Sequence, residues 1–126
     1  MTFHLSDKSL KRLEGVHPDL VKVVKRAIEI TPVDFVVVEG LRTKERQAYL
    51  LDAGKSRTMN SYHLTGHAVD IAPIVDGKVS WEWKFFHPMA DAMMKAADEL
   101  GVKIEWGGKW KTFPDGPHFQ IERRQK

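Results

Sequence analysis

Two short stretches, far apart in the chain, limit what it can fold into. The first is Ser61-Tyr62-His63-Leu64-Thr65-Gly66-His67-Ala68-Val69-Asp70 and the second is Asp115-Gly116-Pro117-His118. Together they offer imidazoles, a carboxylate ligand and a spare carboxylate. A metal centre that activates water needs three protein ligands, one open position and a nearby base. A fold that uses these residues together must set the two stretches side by side.

The chain contains no cysteine. No disulfide is possible, and any metal site must be built from His, Asp or Glu. The 126 residues fit one domain, 1–126, with one modest core and no residues left over for a second module. Hydrophobic residues at 42% and charged residues at 29% predict a soluble globule rather than a disordered chain. Met1-Thr2-Phe3-His4-Leu5-Ser6-Asp7 shows no basic segment followed by an apolar one, so no secretory signal is read, and no run is long enough to span a bilayer. The chain is expected in a cytoplasm, and a substrate outside it would require another agent to open the way. The formal net charge of +3 and the basic tail at 122–126 favour an anionic partner, or merely a solvated terminus. Aromatic residues do not interleave with basic ones, which argues against stacking on nucleic-acid bases.

Ser6 caps a short helix carrying Leu10 and Leu13 that ends at Gly15. Pro18 opens a second, with Leu20, Val21, Val24, Ala27 and Ile28 in one stripe, stopped at Thr31-Pro32. Phe35 to Val38 is a continuous β-branched and aromatic run, read as a buried strand. Thr43 caps a third helix to Ala53, with Gly54 beyond it, and 54–60 is a polar loop. His67 to Ala72 reads as a strand joined through the Asp76-Gly77 turn to Val79. Pro88 opens a helix ending at Gly101. Val102 to Trp106 is a strand, Gly107-Gly108 a turn, and His118 to Ile121 a last strand. This order predicts an α+β domain with a small, largely antiparallel sheet and flanking helices.

Alternation along the strand from His67 puts Asp70 on the face of Ala68 and Ala72, and His67 on the other with Val69 and Ile71. From a regular strand His67 and Asp70 therefore do not easily bind one ion. His63 precedes Gly66, which lets the chain fold back and bring His63 towards Asp70. Ala68 and Ala72 are small and leave room there. The bend at Gly116-Pro117 separates Asp115, on a loop lip, from His118, at a strand start. The set that results is His63, Asp70 and His118 as ligands, with Asp115 as the base. Arg42, just after the Phe35 to Val38 strand, is the candidate cation for an oxyanion. Spacing alone leaves the ordinary reading open: lone histidines are commonly surface or hydrogen-bonded core residues, and Asp before Gly-Pro is a turn former. His4, His17 and His87 read as structural, the last two as caps before proline. Gly54-Lys55-Ser56 lacks the earlier glycine of a phosphate-binding loop, and no Gly-x-Ser-x-Gly elbow is present.

Ser61-x-His63-x-x-Gly66-x-Ala68-x-Asp70 resembles the SxHxxGxAxD motif of the M15 zinc peptidases, the D-Ala-D-Ala carboxypeptidase and dipeptidase family. The segment from Glu39-Gly40-Leu41-Arg42-Thr43 to Gln47 is similar to that family's G-x-R-[ST]-x-x-x-Q. Trp106-Gly107-Gly108-Lys109-Trp110 with Asp115-Gly116-Pro117-His118-Phe119 resembles the end of its phage-endolysin branch, the L-alanyl-D-glutamate endopeptidases. The resemblance implies a Hedgehog/DD-peptidase-like fold, Zn2+ on His63, Asp70 and His118, and Asp115 as catalytic acid/base. It also implies Arg42, Gln47 and Ser61 at the substrate or the ligand loop. The implied substrate is the peptide stem of peptidoglycan, cut at L-Ala-D-Glu by a monomer that waits in a host cytoplasm for a holin pore. The implied alternatives are a D-Ala-D-Ala carboxypeptidase or dipeptidase, or a non-catalytic zinc-bearing binding domain of the same fold. Lys109 and Gln120 depart from the branch pattern, where Asp and Glu are common, and put fine substrate contacts in doubt.

Overall fold

The computed structural model describes residues 3–54, 62–111 and 114–122. Three helices precede most of the sheet in sequence: α1 (Asp7–Arg12), α2 (Pro18–Ile30) and α3 (Lys44–Asp52). The first two flank nothing but a turn, whereas strand β1 (Phe35–Glu39) separates α2 from α3. A single 3-10 turn (Tyr62–Thr65) leads into β2 (Ala68–Val75) and β3 (Lys78–Val79). Then come α4 (Trp83–Leu100), β4 (Ile104–Trp106), a 3-10 turn (Gly107–Lys109) and β5 (His118–Ile121). The sheet order is β1-β2-β5-β4, with β3 paired to the far end of β2, and every pairing is antiparallel.

Local chemistry sets the helix ends. The Ser6 hydroxyl accepts from the Ser9 N–H, the Thr43 hydroxyl from Arg46 N–H, and His17 Nδ1 from Asp19 N–H, with Pro18 in the first turn. His17 is thus the cap that its place before proline predicts. His87 is not. The helix expected to open at Pro88 begins at Trp83, and Pro88 lies inside it. Proline there costs one hydrogen bond, to the Lys84 carbonyl. Burial of Phe86 and its packing with Trp81 and Trp83 extend the helix back past that loss. Gly101 ends α4 in the left-handed region, as its position predicts.

Cross-strand pairs share a sheet face, so the register sorts the residues. Val37 and Ile71 pair, as do Val69, Phe119 and Trp106 in one row; all belong to the core formed with α2 and α4. Each large side chain among them contributes on the order of 1.5–3 kcal/mol by leaving water. The intervening rows face the other way: Glu39, Asp70 and His118 in one, Ala68, Gln120 and Glu105 in the next. Ala68 and Ala72, on the Asp70 face, are fully buried.

Strand β1 corrects a second expectation. Its apolar run is not buried on both faces: β1 is an edge strand, and Val38 is exposed. A bulge between Val37 and Glu39 shifts the register, turning Val38 out and setting Glu39 opposite Asp70. Helix α1 covers the backbone there. Val37 N–H donates to Ser9 Oγ (2.9 Å), and Arg12 donates to the Val37 carbonyl (2.9 Å). An edge that would otherwise be unpaired is closed by two side chains.

Gly66 makes the reversal between the His63 turn and β2. It has φ +77°, and an added Cβ would lie 2.3 Å from the Gly15 carbonyl oxygen. Left-handed backbone alone costs a non-glycine residue ~1–2 kcal/mol. Gly77 shares that backbone, at φ +79°, but has open space around it. Gly66→Ala is therefore expected to lower the melting temperature by at least about 8 °C, and Gly77→Ala by about half that or less, in thermal unfolding followed by circular dichroism. Equal losses would mean that the close approach to Gly15 contributes nothing.

Candidate metal centre

Asp70 sits near the middle of β2, and β5 delivers His118 directly opposite it. The 3-10 turn before Gly66 folds His63 back over the same carboxylate. His63 Nε2 lies 3.2 Å and His118 Nδ1 3.3 Å from Asp70 Oδ1. One ligand atom from each of the three residues lies within 4.8 Å of the others, a group able to hold a metal ion. His63 and His118 are buried, and Asp70 is half-buried.

The outer nitrogens fix both rings. His63 Nδ1–H donates to the Gly40 carbonyl (2.8 Å), and His118 Nε2–H donates to Gln120 Oε1 (2.7 Å). Carbonyl oxygens only accept, so each neutral ring turns a lone pair inward, His63 through Nε2 and His118 through Nδ1. Burial alone would raise the Asp70 carboxyl, but hydrogen bonds from His118 and His63, which form when the inward ring nitrogens carry a proton, hold it well below the usual carboxylate range. Burial alone would lower His118, yet the hydrogen bond and charge of Asp70 raise it. The cluster thus favours a positive charge between its members, whether proton or metal.

Asp115 occupies the lip of this site. The Gly107 carbonyl accepts from its N–H (2.9 Å), and its own carbonyl accepts from His118 N–H (3.2 Å). The fit against Gly107 is close: a Cβ on that glycine would lie 2.7 Å from the Asp115 carbonyl oxygen and 3.2 Å from His118 Cβ. Burial raises the Asp115 carboxyl, the negative charge of Asp70 adds to the rise, and His118, His63 and Arg42 oppose it. A carboxylate so placed is a stronger base than one in water.

Arg42 is tied down on several sides. It donates from Nε and one terminal nitrogen to both oxygens of Glu39 (3.0 and 2.8 Å), and from the other to Gln47 Oε1 (2.7 Å). The same guanidinium is 3.7 Å from Asp70 Oδ2. Its backbone N–H donates to the His63 carbonyl (2.9 Å). Gln47 is fully buried against it. Ser61 lies outside the described residues. His67, set aside by strand alternation, is paired with Thr65 Oγ1 (2.7 Å), away from the trio.

Three participants escaped the sequence reading. Gln120 accepts from His118, and its amide donates to Glu105 Oε1 (3.3 Å), making a chain His118–Gln120–Glu105. Its signal was available: two residues after His118 on a strand, it must share that face. Glu105 follows from the pairing of β4 with β5, which sequence does not reveal. Glu39 reaches Asp70 and Arg42 only through the bulge, for which no residue pattern was present.

The sequence pattern of the family described as "Phage L-alanyl-D-glutamate peptidase" matches residues 1–125. The L-alanyl-D-glutamate peptidase of Escherichia phage T5 is 37% identical over 98% of this chain and 92% of that protein. The peptidoglycan L-alanyl-D-glutamate endopeptidase CwlK of Bacillus subtilis is 31% identical over 78% of this chain and 66% of that protein. Among solved structures, the Serratia marcescens L-Ala D-Glu endopeptidase ChiX superposes with a TM-score of 0.90. It is 48% identical, and the match covers 96% of this chain and 91% of that one.

Proposed function

The chain belongs to the phage L-alanyl-D-glutamate peptidase family, and we propose that it hydrolyses the L-Ala-D-Glu bond of peptidoglycan stems with zinc held by His63, Asp70 and His118. One observation carries the metal reading: two imidazole nitrogens converge on one carboxylate oxygen while both outer nitrogens are committed to carbonyl acceptors. The donor set is two nitrogens and an oxygen, without thiolate, as in hydrolytic zinc sites. The two separations to Asp70 Oδ1, 3.2 and 3.3 Å, match the edge of a tetrahedron with bonds of ~2.0 Å.

Bound zinc supplies Lewis acidity, lowering the pKa of water towards ~7 and polarising a carbonyl. The protein's own residues do the rest. Asp115 takes the proton of the attacking water and returns it to the departing amine of D-Glu; its raised carboxyl makes the protonated form easier to regain. Arg42 holds Asp70 through Oδ2 and keeps positive potential where an oxyanion develops. Glu39 and Gln47 fix the guanidinium. Ser61 keeps the role of a substrate or ligand-loop contact. The enzyme acts as a monomer, held in a host cytoplasm until a pore such as a holin gives access to the wall. A second reading, a bacterium's own wall-remodelling enzyme with the same chemistry, is favoured by the 48% identity to the Serratia protein.

Digestion of purified sacculi followed by mass spectrometry tests the bond. New N-terminal D-Glu and C-terminal L-Ala are expected; release of terminal D-Ala instead would replace this reading with a D-Ala-D-Ala carboxypeptidase. The outer contacts have their own consequence. Gln120→Leu removes the acceptor for His118 Nε2–H and should weaken zinc binding ~10–100-fold, measured by competition with a chromophoric chelator. Gln120→Glu keeps the acceptor and should retain affinity. Unchanged affinity in the Leu variant would show that the Gln120 contact does not orient the ligand.

A further inference from the structure

Trp81 and Trp83 are 61% and 45% exposed, an unusual display of indole for residues so close together. They are not isolated. The Trp81 ring stacks on Phe86 (6.2 Å between centroids, 28°), and Trp83 meets both Phe86 (6.0 Å) and Trp106 (6.3 Å). This band runs to the catalytic lip. A Cβ on Gly116 would lie 3.2 Å from the Phe86 ring, and Trp106 Nε1–H donates to the Gly116 carbonyl (2.7 Å). Gly116 directly follows Asp115. The exposed indoles and the acid/base therefore share one support.

We infer that Trp81 and Trp83 form a saccharide-binding platform that takes the amino sugar to which the stem peptide is attached. The inference rests on the peptidase reading above. In peptidoglycan the L-Ala amine is acylated by the lactyl group of that sugar. The scissile bond is therefore separated from the pyranose by one residue and a short ether spacer, about 7–10 Å at ~3.5 Å per unit. Phe86, whose ring abuts Gly116 on the lip, holds each indole one ring contact away, at about 6 Å. A pyranose presents a flat face of C–H groups, which suits the large, rigid face of an indole. The flanking charges do not favour an anionic partner: Lys84 and Glu82 are paired with each other at 3.7 Å.

The test compares zinc-loaded enzyme on two substrates, the free stem tetrapeptide and the same peptide on its N-acetylglucosamine–N-acetylmuramic acid disaccharide. Wild type should prefer the glycosylated substrate by about tenfold in kcat/KM, expressed mainly in KM. Trp81→Ala and Trp83→Ala should bring that ratio towards one, with Trp81→Phe recovering part of it. A wild-type ratio of one, or a ratio unchanged by Trp81→Ala, overturns the inference. So does an equal fall on both substrates, which marks a packing role, or a dimer lost in Trp81→Ala with the ratio intact, which marks a second copy as occupant. Cleavage of the free tetrapeptide reads the peptidase activity separately: if neither substrate is cut, the underlying reaction is wrong and the platform falls with it.

Discussion

Asp115→Asn is expected to reduce kcat for stem-peptide cleavage by roughly 10²–10⁴ while leaving zinc bound and the fold intact. Asn has nearly the same shape, and the two backbone hydrogen bonds that fix the lip, to the Gly107 carbonyl and from His118 N–H, do not involve the side chain. What disappears is the ability to take a proton. Because burial and then Asp70 raise the Asp115 carboxyl, its ionised form is disfavoured in the fold. The sign follows: an acid raised on folding loses stability as pH rises from its ordinary value through the raised one. Removing it should leave the neutral-pH melting temperature unchanged or slightly higher. An activity loss accompanied by unaltered zinc content and stability separates a proton-transfer role from a structural one. Wild-type lysis of outer-membrane-stripped cells by Asp115→Asn would sink the assignment.

Much of the arrangement was legible because strands impose a strict alternation. From His67 to Ala72 that rule alone moved His67 off the Asp70 face, and the structure puts His67 against Thr65 instead. Gly66 and the Gly116-Pro117 bend were readable as places where alternation breaks. Illegible features all depend on contacts between distant segments. The Val37/Glu39 bulge is held by Ser9 and Arg12 of α1, so nothing within β1 announces it. The start of α4 is not legible locally because Pro88 is a strong helix-opening signal. Packing among Phe86, Trp81 and Trp83, reached only in the folded chain, outweighs it. Gln120 stands out in the sequence only as a departure from the branch pattern; its place on β5, beside His118, appears with the fold.

His63→Ala and His118→Ala are each expected to lose nearly all bound zinc on dialysis, and activity with it, while His67→Ala retains about one equivalent. Each of the first two leaves only two protein donors, too few for a hydrolytic zinc site, which needs three. His63 is almost wholly buried, so its removal also opens a void and lowers stability on its own account. Melting temperature alone therefore cannot report the ligand role. The difference in melting temperature with and without added zinc can, because a ligand that binds only the folded state stabilises by RT ln(1 + [L]/Kd). At a thousandfold excess over Kd that is about 4 kcal/mol, on the order of 15 °C for a domain of this size. The shift should be present in wild type and His67→Ala and absent in the other two. Stoichiometric zinc or an undiminished shift in His63→Ala would mean that Asp70 and His118 find their third donor elsewhere. His63 would then be a core histidine whose approach to Asp70 is an ordinary buried hydrogen bond.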